Sequence, residues 1–221
     1  MCALRTAPIA LTANPHLTTE TLTAGNPDAA IAAVLLHGRD LDAEWMLELA
    51  RRFGLDDTVF YLAPRAAERS WYPGRFYDPL EDNEPWVGWS LEAIESAVAA
   101  TGRTHSQVAL IGFSQGACIL AEHLARRPEP YGAAAILTGA LFGTPDLDRV
   151  PAGSLEAMPM FFGIAQDDDW IPIDAVRGTV DAFRRAGASC DLRIYDDEEH
   201  GVNDDEAAAV RGLLLSLLED T

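Results

Sequence analysis

No lysine occurs anywhere in the sequence: all 16 basic side chains are arginine, set against 35 acidic ones, for a formal charge of -19. A chain so negative repels nucleic acid and anionic head groups, so neither is expected as a partner. The missing lysine has two readings, a coding bias toward arginine or an acidic surface tuned to high salt, and both stay open at this stage. Cysteine is scarce too. Cys2, Cys118 and Cys190 form no C-x-x-C pair and no zinc-type spacing, which argues against a metal centre and for a reducing, cytoplasmic location. Cys118, one turn into a predicted helix, reads as a small packed thiol. No apolar run approaches the roughly 18 to 20 residues that span a membrane. The first residues, MCALRTAPIALTANP, carry one arginine and a short apolar patch broken by Pro8. That is thin support for a secretory signal, and the stretch reads as an edge strand.

What is present suffices for a core: 221 residues, 48% of them hydrophobic, distributed as expected of a single domain over residues 1–221. Strand-like runs are predicted over Ala30–Leu36, Thr58–Ala63, Gln107–Phe113, Gly132–Leu137, Met158–Ala165 and Cys190–Tyr195. Helical spacing is predicted over Ala43–Phe53, Trp86–Ala100, Gln115–Arg127, Ile173–Ala186 and Asp204–Leu218. Such alternation implies βαβ units around a mainly parallel sheet, with helices on both faces. Two long connections, Pro64–Pro85 and Gly143–Pro159, stand out as functional loops, the first for its aromatic content.

The stretch Leu110-Ile111-Gly112-Phe113-Ser114-Gln115-Gly116-Ala117 marks the point where strand spacing becomes helical. Serine between two glycines at a strand-to-helix turn fits a nucleophile elbow, in which a sharp turn lifts the hydroxyl above the sheet's C-terminal edge. A serine hydroxyl needs a base, and the base a carboxylate. Of the five histidines, only His200 follows a late strand and can reach over that edge. His105 precedes its strand and lies at the wrong end; His123 falls off the apolar stripe of its helix and is expected to be exposed; His37 is expected to hold its own loop. Three acids, Asp167, Asp168 and Asp169, follow the strand Met158–Ala165, and at most one can address the histidine. The others read as solvated loop acids, with Asp169 a candidate cap for the following turn. Backbone amides of Gln115 and Arg39, the latter beside Gly38, are the expected oxyanion donors.

Together, "LLHGRD", "GFSQGA", "DDDWIP" and "EEHGV" resemble the phospholipase/carboxylesterase family of α/β-hydrolases, which includes the acyl-protein thioesterases. The resemblance covers most of the chain and selects Asp168, which begins the family's D-x-x-[VI]-P element at Asp168-Asp169-Trp170-Ile171-Pro172. It also matches Arg69-Ser70-Trp71-Tyr72 to an element beside the active site, implying that Trp71, Tyr72 and Phe76 bind substrate. Two departures stand out. Asp40 replaces a glycine of the oxyanion loop, and Ile164-Ala165 replaces a His-Gly pair before the acid. Dienelactone hydrolases share the fold but use cysteine where Ser114 stands.

The expected protein is therefore an α/β-hydrolase that cleaves small-molecule carboxylic esters, or thioesters, through an acyl-enzyme on Ser114, with His200 as base and Asp168 orienting it. It needs no cofactor or metal, and is expected to be a monomer or homodimer. Two alternatives remain open: an enzyme for small polar esters or lactones, suggested by Arg39, Arg69 and Arg75 near the mouth unless Asp40, Asp78 or Glu81 pairs with them, and a catalytically silent binding protein on the same fold.

Overall fold

Strands that are apolar at every position are stable only when covered on both faces, and five of the strands are so placed in the computed structural model, which describes residues 13–143, 149–196 and 200–219. The elements run β1 (Thr21–Gly25), β2 (Ile31–Leu36), α1 (Ala43–Phe53), β3 (Val59–Pro64), α2 (Leu80–Asn83), α3 (Trp86–Ala100), β4 (Val108–Phe113), α4 (Gln115–Arg126), β5 (Ala133–Leu137), β6 (Pro159–Ala165), α5 (Ile173–Arg185), β7 (Ser189–Tyr195) and α6 (Asp204–Glu219). The strands form one sheet in the order β1-β3-β2-β4-β5-β6-β7. Every neighbouring pair is parallel except β1 with β3.

Side chains alternate across each strand, and two cores result. Val34 and Leu36 of β2 face a core shared with Leu91 and Ile94 of α3, Leu120 of α4 and Phe183 of α5. Ile31, Ala33 and Leu35 face the other, with Met46 and Phe53 of α1 and Val210 and Leu214 of α6. Strand order reverses direction at β2 and β4, with β3 on one side and β5 on the other, so a crevice opens where their C-terminal ends part. His37-Gly38 leaves β2 there, and Ser114 leaves β4.

Beside β3 the sheet edge is formed by Thr21–Gly25, and the edge strand expected of the N-terminal stretch falls mostly outside the described residues. Residues 1–12 lie outside the described residues, and Pro15–Thr18 forms a short 3-10 helix with Asn14 as its cap. His123 is wholly buried rather than exposed. Helix α4 lies beneath α3 and the segment after β5, where Ala152 N–H donates to Ala125 C=O and Arg149 reaches Glu122, so its polar side faces protein too. Within the Pro64–Pro85 connection lie a 3-10 turn at Ala67–Arg69 and α2; of the Gly143–Pro159 connection, residues 144–148 lie outside the described residues. Among the described residues no helix is long and apolar enough to cross a membrane.

Candidate active site

The elbow is built by its glycines. A Cβ on Gly116 would stand 2.2 Å from the Leu36 carbonyl oxygen, and one on Gly112 would stand 2.6 Å from that of Gly116. With both absent, α4 starts hard against the ends of β2 and β4. Ser114 itself takes φ 52° and ψ -117°, a conformation costly for a residue with a side chain and persisting only where its surroundings enforce it. One restraint is the Ser114 N–H bond to Leu137 C=O at 2.9 Å. Its hydroxyl does not cap the helix it precedes and is left to point into the crevice.

Three side chains from distant segments meet there. Ser114 Oγ lies 2.8 Å from His200 Nε2, and His200 Nδ1 lies 2.8 Å from Asp168 Oδ2. The other carboxylate oxygen, Oδ1, accepts from the amides of Trp170 at 2.9 Å and Ile171 at 2.8 Å. Burial alone would raise the Asp168 pKa, but the His200 bond and those two amides outweigh it and hold the carboxyl below its ordinary value. An ionised Asp168 fixes the Nδ1–H tautomer of His200, which leaves the Nε2 lone pair toward the serine hydroxyl. The turn cap after β6 is thus Asp168 rather than Asp169; Asp167 and Asp169 are exposed.

The loop after β2 supplies the opposite wall. Buried His37 accepts from Ala66 N–H through Nε2 at 3.0 Å and donates from Nδ1 to Gly38 C=O at 2.7 Å. Burial lowers its pKa and keeps it neutral. Asp40 occupies the left-handed region at φ 61°, where its N–H bonds Arg69 C=O at 2.9 Å. Aspartate tolerates that region better than most residues with a side chain, so the loop keeps the turn that a glycine would allow. Among the described residues, neither the Arg39 nor the Gln115 amide donates a hydrogen bond.

A cleft of about 530 Å³ opens beside Ser114 and His200, walled by Tyr72, Phe76, Tyr77, Trp170 and Ile171. Trp170 is 67% exposed at its rim. Trp71 does not reach the cleft. It is completely buried, with its indole N–H donating to His37 C=O at 2.8 Å and its amide to Gln115 Oε1 at 2.9 Å. An aromatic residue next to a wall residue carries no mark in sequence of which way it turns. The Gln115 side chain is a contributor that sequence reasoning missed: Nε2 also donates to Tyr72 C=O at 2.8 Å, tying the aromatic loop to the elbow. The mouth arginines pair differently from the expected acids. Arg39 donates to the Tyr72, Pro73 and Gly74 carbonyls, Arg69 to Leu41 C=O and toward Asp42, and Arg75 to the Tyr77 hydroxyl. No cluster of metal-ligating side chains occurs among the described residues.

Comparison with known proteins agrees with this architecture. Residues 65–216 match the phospholipase/carboxylesterase family. A crystal structure of a phospholipase/carboxylesterase from Dyadobacter fermentans superposes with a TM-score of 0.82 at 29% identity, covering 90% of this chain and 97% of that one. At the level of fold alone, a carboxylesterase from Mesorhizobium loti (TM-score 0.69, 23% identity, 85% and 90% covered) and esterase PE8 (TM-score 0.73, 21% identity, 90% and 98% covered) are also similar. No curated protein matches the sequence. A parallel sheet with a serine elbow at its switch point, matched over most of its length, makes this chain an esterase-type enzyme that belongs to the phospholipase/carboxylesterase family of α/β-hydrolases.

Proposed function

We propose that the protein hydrolyses carboxylic esters of small molecules, and thioesters by the same steps, through an acyl-enzyme on Ser114. The observation that carries this reading is the unbroken chain from Ser114 Oγ through His200 to Asp168, with both contacts at 2.8 Å. His200 Nε2 takes the hydroxyl proton as Oγ attacks the carbonyl carbon, and Asp168 stabilises the imidazolium that forms. The developing oxyanion falls to the Gln115 and Arg39 amides. The first of these opens helix α4, whose dipole adds to it, and each donor lowers the barrier by about 3 kcal/mol. Collapse of the tetrahedral adduct breaks the bond to the leaving oxygen or sulfur, which takes the proton back from Nε2. Water then enters by the same base catalysis and releases the acid.

Tyr72 and Phe76 give the acyl group an apolar wall, and Ile171 extends it. That wall favours medium acyl chains over acetate. The polar-ester alternative loses support, because Arg39, Arg69 and Arg75 already have partners. Ser114→Ala is expected to lower kcat on p-nitrophenyl butyrate by about 10⁴-fold or more while the thermal midpoint stays within a few degrees. A fluorophosphonate should label the unaltered protein at Ser114 only. Hydrolysis undiminished in the alanine variant would overturn the mechanism, and failure of the folded protein to be labelled would favour a silent binding protein.

A further inference from the structure

Beside the large cleft lies a second hollow, of about 240 Å³, lined by Gly38, Leu41, Trp45 and Phe113 and also reaching Ser114 and His200. Arg39, Ser114 and His200 line both hollows, so the two meet at the reacting centre. Away from Arg39, Ser114 and His200, the small one is walled by the apolar side chains of Leu41, Trp45 and Phe113. Its shape is fixed from behind: the Trp45 ring stacks on Phe113 with centroids 4.8 Å apart, and Phe113 lies 5.4 Å from the His200 ring. The Trp45 amide donates to Asp42 Oδ1 at 3.1 Å, and the Leu41 amide to Gly38 C=O at 3.2 Å. These bonds hold the start of α1 and the turn before it as a rigid lip.

An ester attacked at Ser114 has two organic arms on the carbonyl carbon, and at a tetrahedral centre they diverge. Two hollows that meet at Ser114 offer the two arms separate room. The acyl arm belongs with Tyr72, Phe76 and Ile171, which line only the large cleft. The other arm ends in the oxygen that receives the proton from His200 Nε2, and must lie against the imidazole. That ring borders both hollows; its nearer aromatic neighbour is Phe113 of the small one, at 5.4 Å with Trp45 stacked behind it, against 6.4 Å to Trp170 at the rim of the large one.

We infer that the alcove of Leu41, Trp45 and Phe113 receives the alcohol arm of the ester and restricts it to a small apolar group, so that the natural substrate is a medium-chain acyl ester of a short alcohol. This rests on Ser114 being the nucleophile. In the covalent step the Oγ–carbonyl bond forms and the carbonyl–alkoxy bond breaks. The alcohol leaves through the alcove carrying the proton from His200.

The test crosses two ester series, methyl, butyl and benzyl butyrates against methyl acetate, butyrate and octanoate, with released acid titrated at constant pH. The unaltered protein is expected to prefer methyl over benzyl butyrate. Trp45→Ala should raise the benzyl-to-methyl ratio of kcat/KM by about tenfold, as removal of a steric wall in an apolar pocket does, while the octanoate-to-butyrate ratio stays unchanged. Leu41→Phe, which narrows the alcove without emptying it, should move the first ratio the opposite way and decides the matter alone if Trp45→Ala does not fold. A shift in acyl rather than alcohol preference would overturn the assignment, as would no shift in either variant. In both cases the Ser114 mechanism would stand. If the folded, unaltered protein hydrolyses no ester of either series, the Ser114 reading falls together with the alcove.

Discussion

At position 40 a single backbone angle decides whether the loop proposed to hold the oxyanion keeps its turn. Family resemblance calls for glycine there, and a residue with a side chain puts the loop's shape in question. Asp40 nevertheless sits at φ 61°, exposed and bonded through its amide to Arg69 C=O, so its side chain meets no protein wall and only the backbone penalty remains. Asp40→Gly is therefore expected to keep kcat/KM within about twofold and to change stability by less than about 1 kcal/mol. Asp40→Val, whose branched Cβ is poorly tolerated at positive φ, should cost about 1–2 kcal/mol and lower kcat by misplacing the Arg39 amide. Urea midpoints together with ester kinetics on the two variants check both. Equal behaviour of glycine and valine would mean that the loop's conformation does not matter to the reaction.

Helix α4 shows at the scale of an element what a sequence conceals. From Gln115 to Ala125 every residue is buried, including Glu122, whose carboxylate is bound by Arg126 and by both terminal nitrogens of Arg149, at 2.6 and 3.0 Å for the latter. Arg149 also donates to Phe142 C=O at 2.8 Å, and the Phe142 ring packs edge-on against Tyr72 of the cleft with centroids 4.7 Å apart. Removing the charge from Glu122 leaves two guanidinium groups short of a partner in a mostly enclosed place. Glu122→Gln should thus destabilise by about 3 kcal/mol, and, through Phe142 and Tyr72, should raise KM more than it lowers kcat. Chemical denaturation and steady-state kinetics measure the two effects; unchanged stability would show the cluster to be energetically idle. The central strands were legible because double-sided burial is written as an uninterrupted apolar run. β1 was not: only Leu22 and Ala24 face inward, a pattern too short to separate from a loop. The burial of His123 was hidden for a related reason, since its cover includes Tyr131, whose hydroxyl lies 3.0 Å from His123 Nε2 and reaches it only because the chain turns back after α4. In the site, the positions of Ser114 and His200 could be anticipated because turn and strand-end chemistry is local. The choice of Asp168 among three adjacent acids needed resemblance, because spacing alone does not say which side chain turns inward, and the burial of Trp71 left no trace in sequence at all.

Over the whole molecule, two charge effects act on stability with opposite sign as the pH falls. Burial depresses the pKa of His16 to about 4 and that of His123 to about 3 from an ordinary 6.5, and Arg127 adds to the effect on His123. Between those limits the unfolded chain binds protons that the folded one refuses, so the contribution of both residues is complete above pH 6.5 and is lost progressively toward pH 3. Acidification also neutralises the surplus of carboxylates and relieves their repulsion, since 16 arginines cannot offset 35 acids. Some arginines are not even used that way: Arg103 donates to the carbonyls of Pro27, Ala29 and Thr101, and Arg211 to those of Phe53 and Gly54, a forked capping that lysine does not reproduce. Salt separates the two effects, because ions screen the surface repulsion over about 3 Å at 1 M and barely touch buried imidazoles. Between low salt and 1 M NaCl at pH 7.5 the urea midpoint is therefore expected to rise. At 1 M NaCl a fall from pH 7 to pH 4.5 should lower it more steeply than the same fall does at low salt, where relief of repulsion partly compensates. A midpoint at pH 7.5 that is indifferent to NaCl would mean that the acidic excess does not strain the fold and that the lysine-free composition is a matter of coding rather than of the folded state.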